Sequence, residues 1–245
     1  MKLNSFQLKI FAMILMVLDH LVTYVPNMPV WFSYVGRLVA PIFFFFIVEG
    51  FFHTRSRLKY TFRLFTWSLV MFTGSKLVVM LFKREYGLHN NIFLSMAMAV
   101  LLMSIIEWTK KNKENKKLYV LGIIVAIAAV ALSVVTEASI YGVAMTLVFY
   151  FLRDKKGKMV IVYIITSLIL TLGLSLPTFI TDTNYTVYGL FFFDIQWMQV
   201  FAFPFFLMYN GKRGLNTKFT KYLFYIFYPV HLWCIYIIGY YLGAK

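Results

Sequence analysis

Asp19, His20, Arg37, Glu49 and His231 are ionisable residues set inside long apolar runs of the chain. At membrane depth such groups cost roughly 2.5–3.5 kcal/mol each at a helix centre on insertion scales, so a function that repays the cost is the default expectation. Imidazole exchanges its proton near neutral pH. A neighbouring carboxylate can orient it, and a guanidinium can stabilise a developing oxyanion or hold the carboxylate charged. His20 and His231 are therefore both candidates for a general base, with Asp19 to orient it and Arg37 to meet negative charge. The same residue types line proton and ion pathways. Residue chemistry alone thus leaves an enzyme and a proton-coupled transporter or channel both open.

Composition defines the elements that must position these groups. Hydrophobic residues make up 61% of the 245, aromatics 20% and charged residues only 13%, against about 25% charged in a soluble domain. This is the composition of an all-α, polytopic helical membrane protein. A formal net charge of +15 does not imply nucleic acid, because the Lys and Arg fall in short blocks between apolar runs and form no solvated basic face. Cys234 is the single cysteine, so neither a disulfide framework nor a thiolate metal site is expected. The chain also lacks the H-E-x-x-H and G-x-S-x-G patterns and a phosphate-binding glycine loop, and no metal is expected.

Stretches of about 20 apolar residues are long enough to cross a hydrocarbon core. They occur near 6–25, 31–52, a third ending near 82, 91–108, 118–135, a short run at 139–152, 159–176, 187–209 and 222–242. About nine transmembrane helices in one bundle domain, residues 1–245, are expected, the shortest runs being candidates for re-entrant segments. Basic residues concentrate on the cytoplasmic side of short loops. The loops after the second, fourth, sixth and eighth spans carry Arg55/Arg57/Lys59, Lys110/Lys111/Lys113/Lys116/Lys117, Arg153/Lys155/Lys156/Lys158 and Lys212/Arg213/Lys218/Lys221; the others carry almost none, Lys83 and Arg84 excepted. The alternation predicts a cytoplasmic N-terminus in a multi-pass protein of the cell membrane.

Depth turns scattered residues into a constellation. At about 1.5 Å per residue, Asp19 lies roughly 18 Å into its span and His231 roughly 14 Å into the last. Arg37, Lys76, Glu137 and Asp194 share the middle to outer layer, and charges at a common depth can pair. Glu49 and Arg63 form a second, cytoplasmic layer. Pro41, Pro204 and Pro229 fall within spans, the second in one that also carries Asp194, Gln196 and Gln199. Irregular backbone at such depth is tolerated where it lines a cavity or is buried in protein.

The order L-D-H, then G-R-x-x-x-P-x-F, E-G-F-x-H-T-R and K-Y-x-x-R-L, and finally Y-N-G-K-R-G and K-x-x-F-Y-x-F-Y-P-x-H-L resembles the TraX family of multi-span membrane proteins. The motifs run from Leu18 to Leu232, nearly the whole chain. TraX is linked to N-terminal acetylation of pilin, and the family is similar to the larger group of transmembrane acyltransferases that use cytoplasmic acetyl-CoA. The resemblance implies an acetyltransferase moving an acetyl group from acetyl-CoA to an amine or hydroxyl of an exported or membrane-associated acceptor, a peptide or a surface glycopolymer. Carried onto this chain, it marks Asp19, His20, Arg37, Glu49, His53, Arg55, Arg63 and His231 among others; acyl-transfer chemistry, which needs a base and a cation at the developing oxyanion, puts Asp19, His20, Arg37 and His231 at the catalytic centre. An acyl-histidine intermediate remains an alternative to simple base catalysis. Glu49, His53, Arg55, Lys59, Arg63, Lys212 and Arg213, at the cytoplasmic face, are expected at the donor site, where the basic members and Arg57 can reach the nucleotide phosphates.

Overall fold

A computed structural model describes residues 2–84, 87–181 and 187–243. Apart from a single bridge between Leu3 and Tyr209, the described residues contain no strand pairing. The helices are α1 (Ser5–Tyr24), α2 (Trp31–Gly36), α3 (Val39–His53), α4 (Arg57–Phe82), α5 (Ile92–Lys111), α6 (Lys116–Val134), α7 (Ser139–Leu152), α8 (Lys156–Thr181), α9 (Phe203–Met208) and α10 (Lys218–Tyr241). Seven segments of the described chain are long and apolar enough to cross a bilayer, α2 and α3 counting as one; the shorter apolar stretches Ser139–Leu152 and Ile195–Met208 bring the total to nine. The chain is a multi-pass helical membrane protein.

Two spans differ from continuous helices, each for a local reason. The second breaks at Arg37 and Leu38, between α2 and α3. Pro41 is the third residue of α3, and the residues before a proline disfavour helical continuation. The eighth expected span is not one helix. A π-helical turn, Gly189–Phe193, ends at Asp194, an eight-residue 3-10 stretch, Ile195–Ala202, follows, and α9 completes it. A 3-10 run of that length is uncommon, and such stretches often mark a functional hinge. The seventh span runs past its expected end, because α8 carries Pro177 inside and continues to Thr181. The polar loop expected after it falls partly on residues 182–186, outside the described residues.

The chain forms two compact units: one comprises Met1–Phe43, Val78–Gly87 and Leu152–Lys245, the other Phe44–Leu77 and Leu88–Phe151. In the first unit α1 packs on α2 and α10, and α8 packs on the 3-10 stretch and α9. Leu8, Ala12, Met16, His20 and Tyr24 are buried at steps of four along α1, which places them on one face. On α10 the buried positions are Tyr228, His231, Leu232, Ile235 and Tyr236, again a helical stripe. Ring contacts pair Phe6 with Phe224, His20 with His231 and Tyr24 with Tyr236. Since both numbers rise together, the two helices run in the same direction, as a first and a ninth crossing must.

A loop closes this unit at one end. The amide groups of Ser5 and Phe6 donate to the carbonyls of Lys212 and Arg213 at 2.9 and 3.2 Å. The first N–H groups of a helix have no partner within it, and here the turn of the N-G-K-R-G motif supplies two. Gly211 and Gly214, at φ of +76° and +75°, shape that turn. In the second unit Met98, Leu102, Ala129 and Val143 form a core cluster, with Phe65 and Ile105 packed against it. Ser95 Oγ donates to Thr136 Oγ1 and accepts from the Ala138 amide, which fixes the turn from α6 to α7.

Candidate functional site

His20 and His231 are 211 positions apart in the chain, and their rings meet inside the first unit, Nδ1 of His20 lying 2.9 Å from Nε2 of His231. The planes are 18° apart with centroids at 5.1 Å. Nitrogens that close cannot belong to rings lying face to face, so the pair is joined edge to edge by an N–H···N bond. His231 Nδ1 is 2.8 Å from the carbonyl oxygen of Phe227. A carbonyl only accepts, so Nδ1 of His231 carries the proton. With both rings neutral, Nε2 of His231 is then the acceptor and Nδ1–H of His20 the donor. Nε2 of His20 is left as the unprotonated nitrogen of the pair.

Helix geometry holds this relay. His20 is on the buried stripe of α1 and His231 on that of α10, at 6% and 8% exposure. Phe227 lies parallel to the His231 ring at 4.6 Å, one helical turn earlier, and Tyr228 and Tyr24 present edges to the pair. Both imidazoles are thus clamped among aromatic faces, and their rotamers are set by packing as well as by hydrogen bonds.

Asp19, adjacent to His20, carries a different bond. Nη2 of Arg37 donates to Asp19 Oδ1 at 2.9 Å, Nη1 to Gln196 Oε1 at 3.2 Å and Nε to the Ser33 carbonyl at 3.3 Å. One guanidinium fork therefore ties α1, the end of α2 and the 3-10 stretch together, a geometry that a lysine cannot reproduce. Gly36 makes room for it, because a Cβ there would overlap the Asp19 carboxylate. The ion pair is partly open, with side chains 30% and 18% exposed. From Gln196 the network passes to Gln199, through Nε2 donating at 3.3 Å, and the hydroxyl of Tyr163 donates to the Gln199 carbonyl. Asp194 caps the 3-10 stretch by accepting from the Gln196 amide, and its other oxygen accepts from Ser175.

The structure thus brings together Asp19 with Arg37 and His20 with His231. Asp194, also expected in that layer, bonds Ser175 and Gln196 and is not a direct partner of either pair. Glu137 and Lys76 belong to the second unit, where Glu137 accepts from Asn90 and Lys76 lies over the Phe72 ring. Of the residues expected to bind a donor, Glu49, His53, Arg55, Lys59 and Arg63 also belong to the second unit. His53 is linked through Nδ1 to the Glu49 carbonyl at 2.8 Å, and Arg63 sits over the Tyr60 ring. Arg55, Lys59, Lys212 and Arg213 are exposed, the last two on the loop that caps α1. Among the described residues no three His, Cys, Asp or Glu side chains converge as metal ligands.

Arg84 was legible only as an exception to the basic-loop pattern, and the structure explains it. Its guanidinium donates to the carbonyls of Tyr236 at 2.8 Å and Tyr24 at 3.1 Å and lies over the Tyr236 ring. Tyr24 ends α1, so Arg84 meets the negative end of that helix. Gly239 allows the approach, since a Cβ there would overlap the Tyr24 carbonyl and crowd Arg84.

The chain is 28% identical over 247 residues to the probable fimbrial assembly protein FimC, serogroup H1, of Dichelobacter nodosus, covering 94% of this chain and 93% of that one. No solved structure matches it. The family described as TraX protein matches residues 5–239, a stretch that includes α1, all but the last two residues of α10 and every residue of the histidine and Asp19–Arg37 pairs. The chain belongs to the TraX family.

Proposed function

We propose that this protein is an integral membrane acetyltransferase that moves an acetyl group from coenzyme A to an amine or hydroxyl of an exported or membrane-associated acceptor. The observation that carries the reading is the bond between His20 and His231, which leaves Nε2 of His20 unprotonated. That nitrogen takes the proton as the acceptor attacks the thioester carbonyl. The C–N or C–O bond forms, the C–S bond breaks, and the proton held by His20 passes to the departing thiolate. His231 positions the base by accepting from Nδ1, and the Phe227 carbonyl fixes the tautomer of His231. Arg37 keeps three N–H groups on Asp19, Gln196 and the Ser33 carbonyl, and its other two N–H groups can donate to the developing oxyanion.

The name of the fimbrial relative supports an exported peptide over a glycopolymer as acceptor. The basic-loop alternation supports a cell membrane location with the N-terminus inside, which puts the donor on the cytoplasmic side. Two exposed basic groups are candidates for its phosphates, Arg55 with Lys59 at the start of α4, and Lys212 with Arg213 on the loop that caps α1. Purified full-length protein supplied with labelled acetyl-CoA tests the reading. Thioester consumption lost in His20→Ala and strongly reduced in His231→Ala supports it; turnover unchanged in both variants overturns it.

One observation favours a second reading. The broken eighth span, lined by Asp194, Gln196 and Gln199 and joined to Arg37, is the kind of discontinuous segment that transporters use at their binding sites. Ion or substrate flux in proteoliposomes, with no thioester consumption, would assign the chain to that class instead.

A further inference from the structure

The second unit carries a cleft of which the acetyltransferase reading uses only Arg57, as one cation expected to reach the donor's phosphates. Arg57, Ser104, Glu107, Trp108, Lys110 and Lys111 line an open cleft of about 540 Å³, within the size range of small-molecule sites. It lies where α4 begins and α5 ends. Topology alone requires only that lysines and arginines reach water, and those at a span's end can do so in any rotamer. Here two of the three, Arg57 and Lys110, are held by named partners. Arg57 lies 4.2 Å over the Phe51 ring and 3.6 Å from Glu107. Lys110 Nζ donates to the Tyr150 hydroxyl at 3.0 Å and lies 3.8 Å from Glu107. The Tyr150 hydroxyl in turn donates to Glu107. Three cations stand against one carboxylate, so the cleft keeps an unbalanced positive charge.

We infer that this cleft binds the phosphate of an anionic phospholipid headgroup. Charge and shape call for a phosphate, and the surroundings call for a lipid. Leu58 and Phe62 on α4 are exposed at 67% and 63%, and Phe151, beside the Tyr150 that bonds Lys110, at 58%; acyl chains would lie along them. Trp108, 41% exposed, has the amphipathic ring enriched at headgroup level. Basic clefts between spans are a known form of headgroup recognition. Glu107 serves as the brace that spaces the cations, and its own charge opposes the ligand.

The experiment is native mass spectrometry of the full-length protein released from nanodiscs of phosphatidylglycerol or phosphatidylcholine, with inorganic phosphate as a third arm. Retention of phosphatidylglycerol over phosphatidylcholine is expected, with a loss of about fivefold for each cation neutralised. Lys111→Gln, on an exposed side chain, gives the single-charge value in a variant whose folding is not at issue. Arg57→Gln with Lys110→Gln and Lys111→Gln is expected to lose about a hundredfold, checked by gel filtration for integrity, and Glu107→Gln is expected to raise retention. Lys116→Gln with Lys117→Gln is the charge-matched control and keeps the wild-type value. Equal retention of the two lipids, equal loss in the control, or saturation by inorganic phosphate without lipid preference would each overturn the assignment.

Discussion

Replacing His231 with alanine removes at once the acceptor for His20 Nδ1–H and the donor to the Phe227 carbonyl. A buried donor left without its partner costs about 1–3 kcal/mol in general. Within a membrane bundle, coupling energies for inter-helix hydrogen bonds average about 0.6 kcal/mol and reach about 1.7. His231→Ala also leaves a void against Phe227 and Tyr228, so the single substitution mixes packing with the bond. A double-mutant cycle with His20→Ala isolates the pair. With both rings at under a tenth exposure and the nitrogens at 2.9 Å, the expected coupling is at the upper end, about 1–1.7 kcal/mol, read from reversible unfolding in bicelles. The same four proteins should show non-additive activity, because residues acting as one unit are not independent. His20→Ala should cost about 10²–10⁴ in turnover, and His231→Ala added to it almost nothing further. A coupling energy within error of zero, or losses that multiply, would refute the relay.

Other consequences are open to measurement. Gly36→Ala should displace the Asp19 carboxylate and reproduce the activity loss of Arg37→Ala, while Arg37→Lys should fail to rescue, since one ammonium cannot meet Asp19, Gln196 and the Ser33 carbonyl together. Gly239→Ala should destabilise the protein by about 1–3 kcal/mol in thermal unfolding, through its collision with the Tyr24 carbonyl. Cysteine placed at Lys113 should be labelled by an impermeant thiol reagent only from inverted vesicles, and cysteine at Asn27 only from whole cells; the reverse pattern would invert the topology.

Hydropathy made the architecture legible because membrane spans are long, uniform and bounded by charge. The apolar runs lie within a few residues of α1, α5, α6, α7 and α10. What it could not show is where backbone departs from a helix inside an apolar run. The stretch near 187–209 is apolar enough to read as one span, and only the side chain of Asp194, turning back to cap the Gln196 amide and taking Ser175 from α8, explains why it breaks. That the stretches carrying His20 and His231 meet could be read from their ionisable groups at a common depth, yet the direct bond between the two rings could not, since Asp19 is the nearer partner in the chain. Depth placed Asp19 level with Arg37, which is how the structure uses it. Arg84 was hidden for the opposite reason: a cation beside a span end looks like a loop charge until the helix terminus it meets is known.

The turn at Lys212 and Arg213 that closes the first rung of α1 has a consequence for synthesis. Chains emerge N-terminus first, so α1 is made and inserted long before the carbonyls that satisfy its opening amides and before the ring that orients His20. An interrupted product therefore holds a first span with an unfinished end and an imidazole with no companion. On the proposed reading, the base therefore gains its positioning partner only with the closing helix.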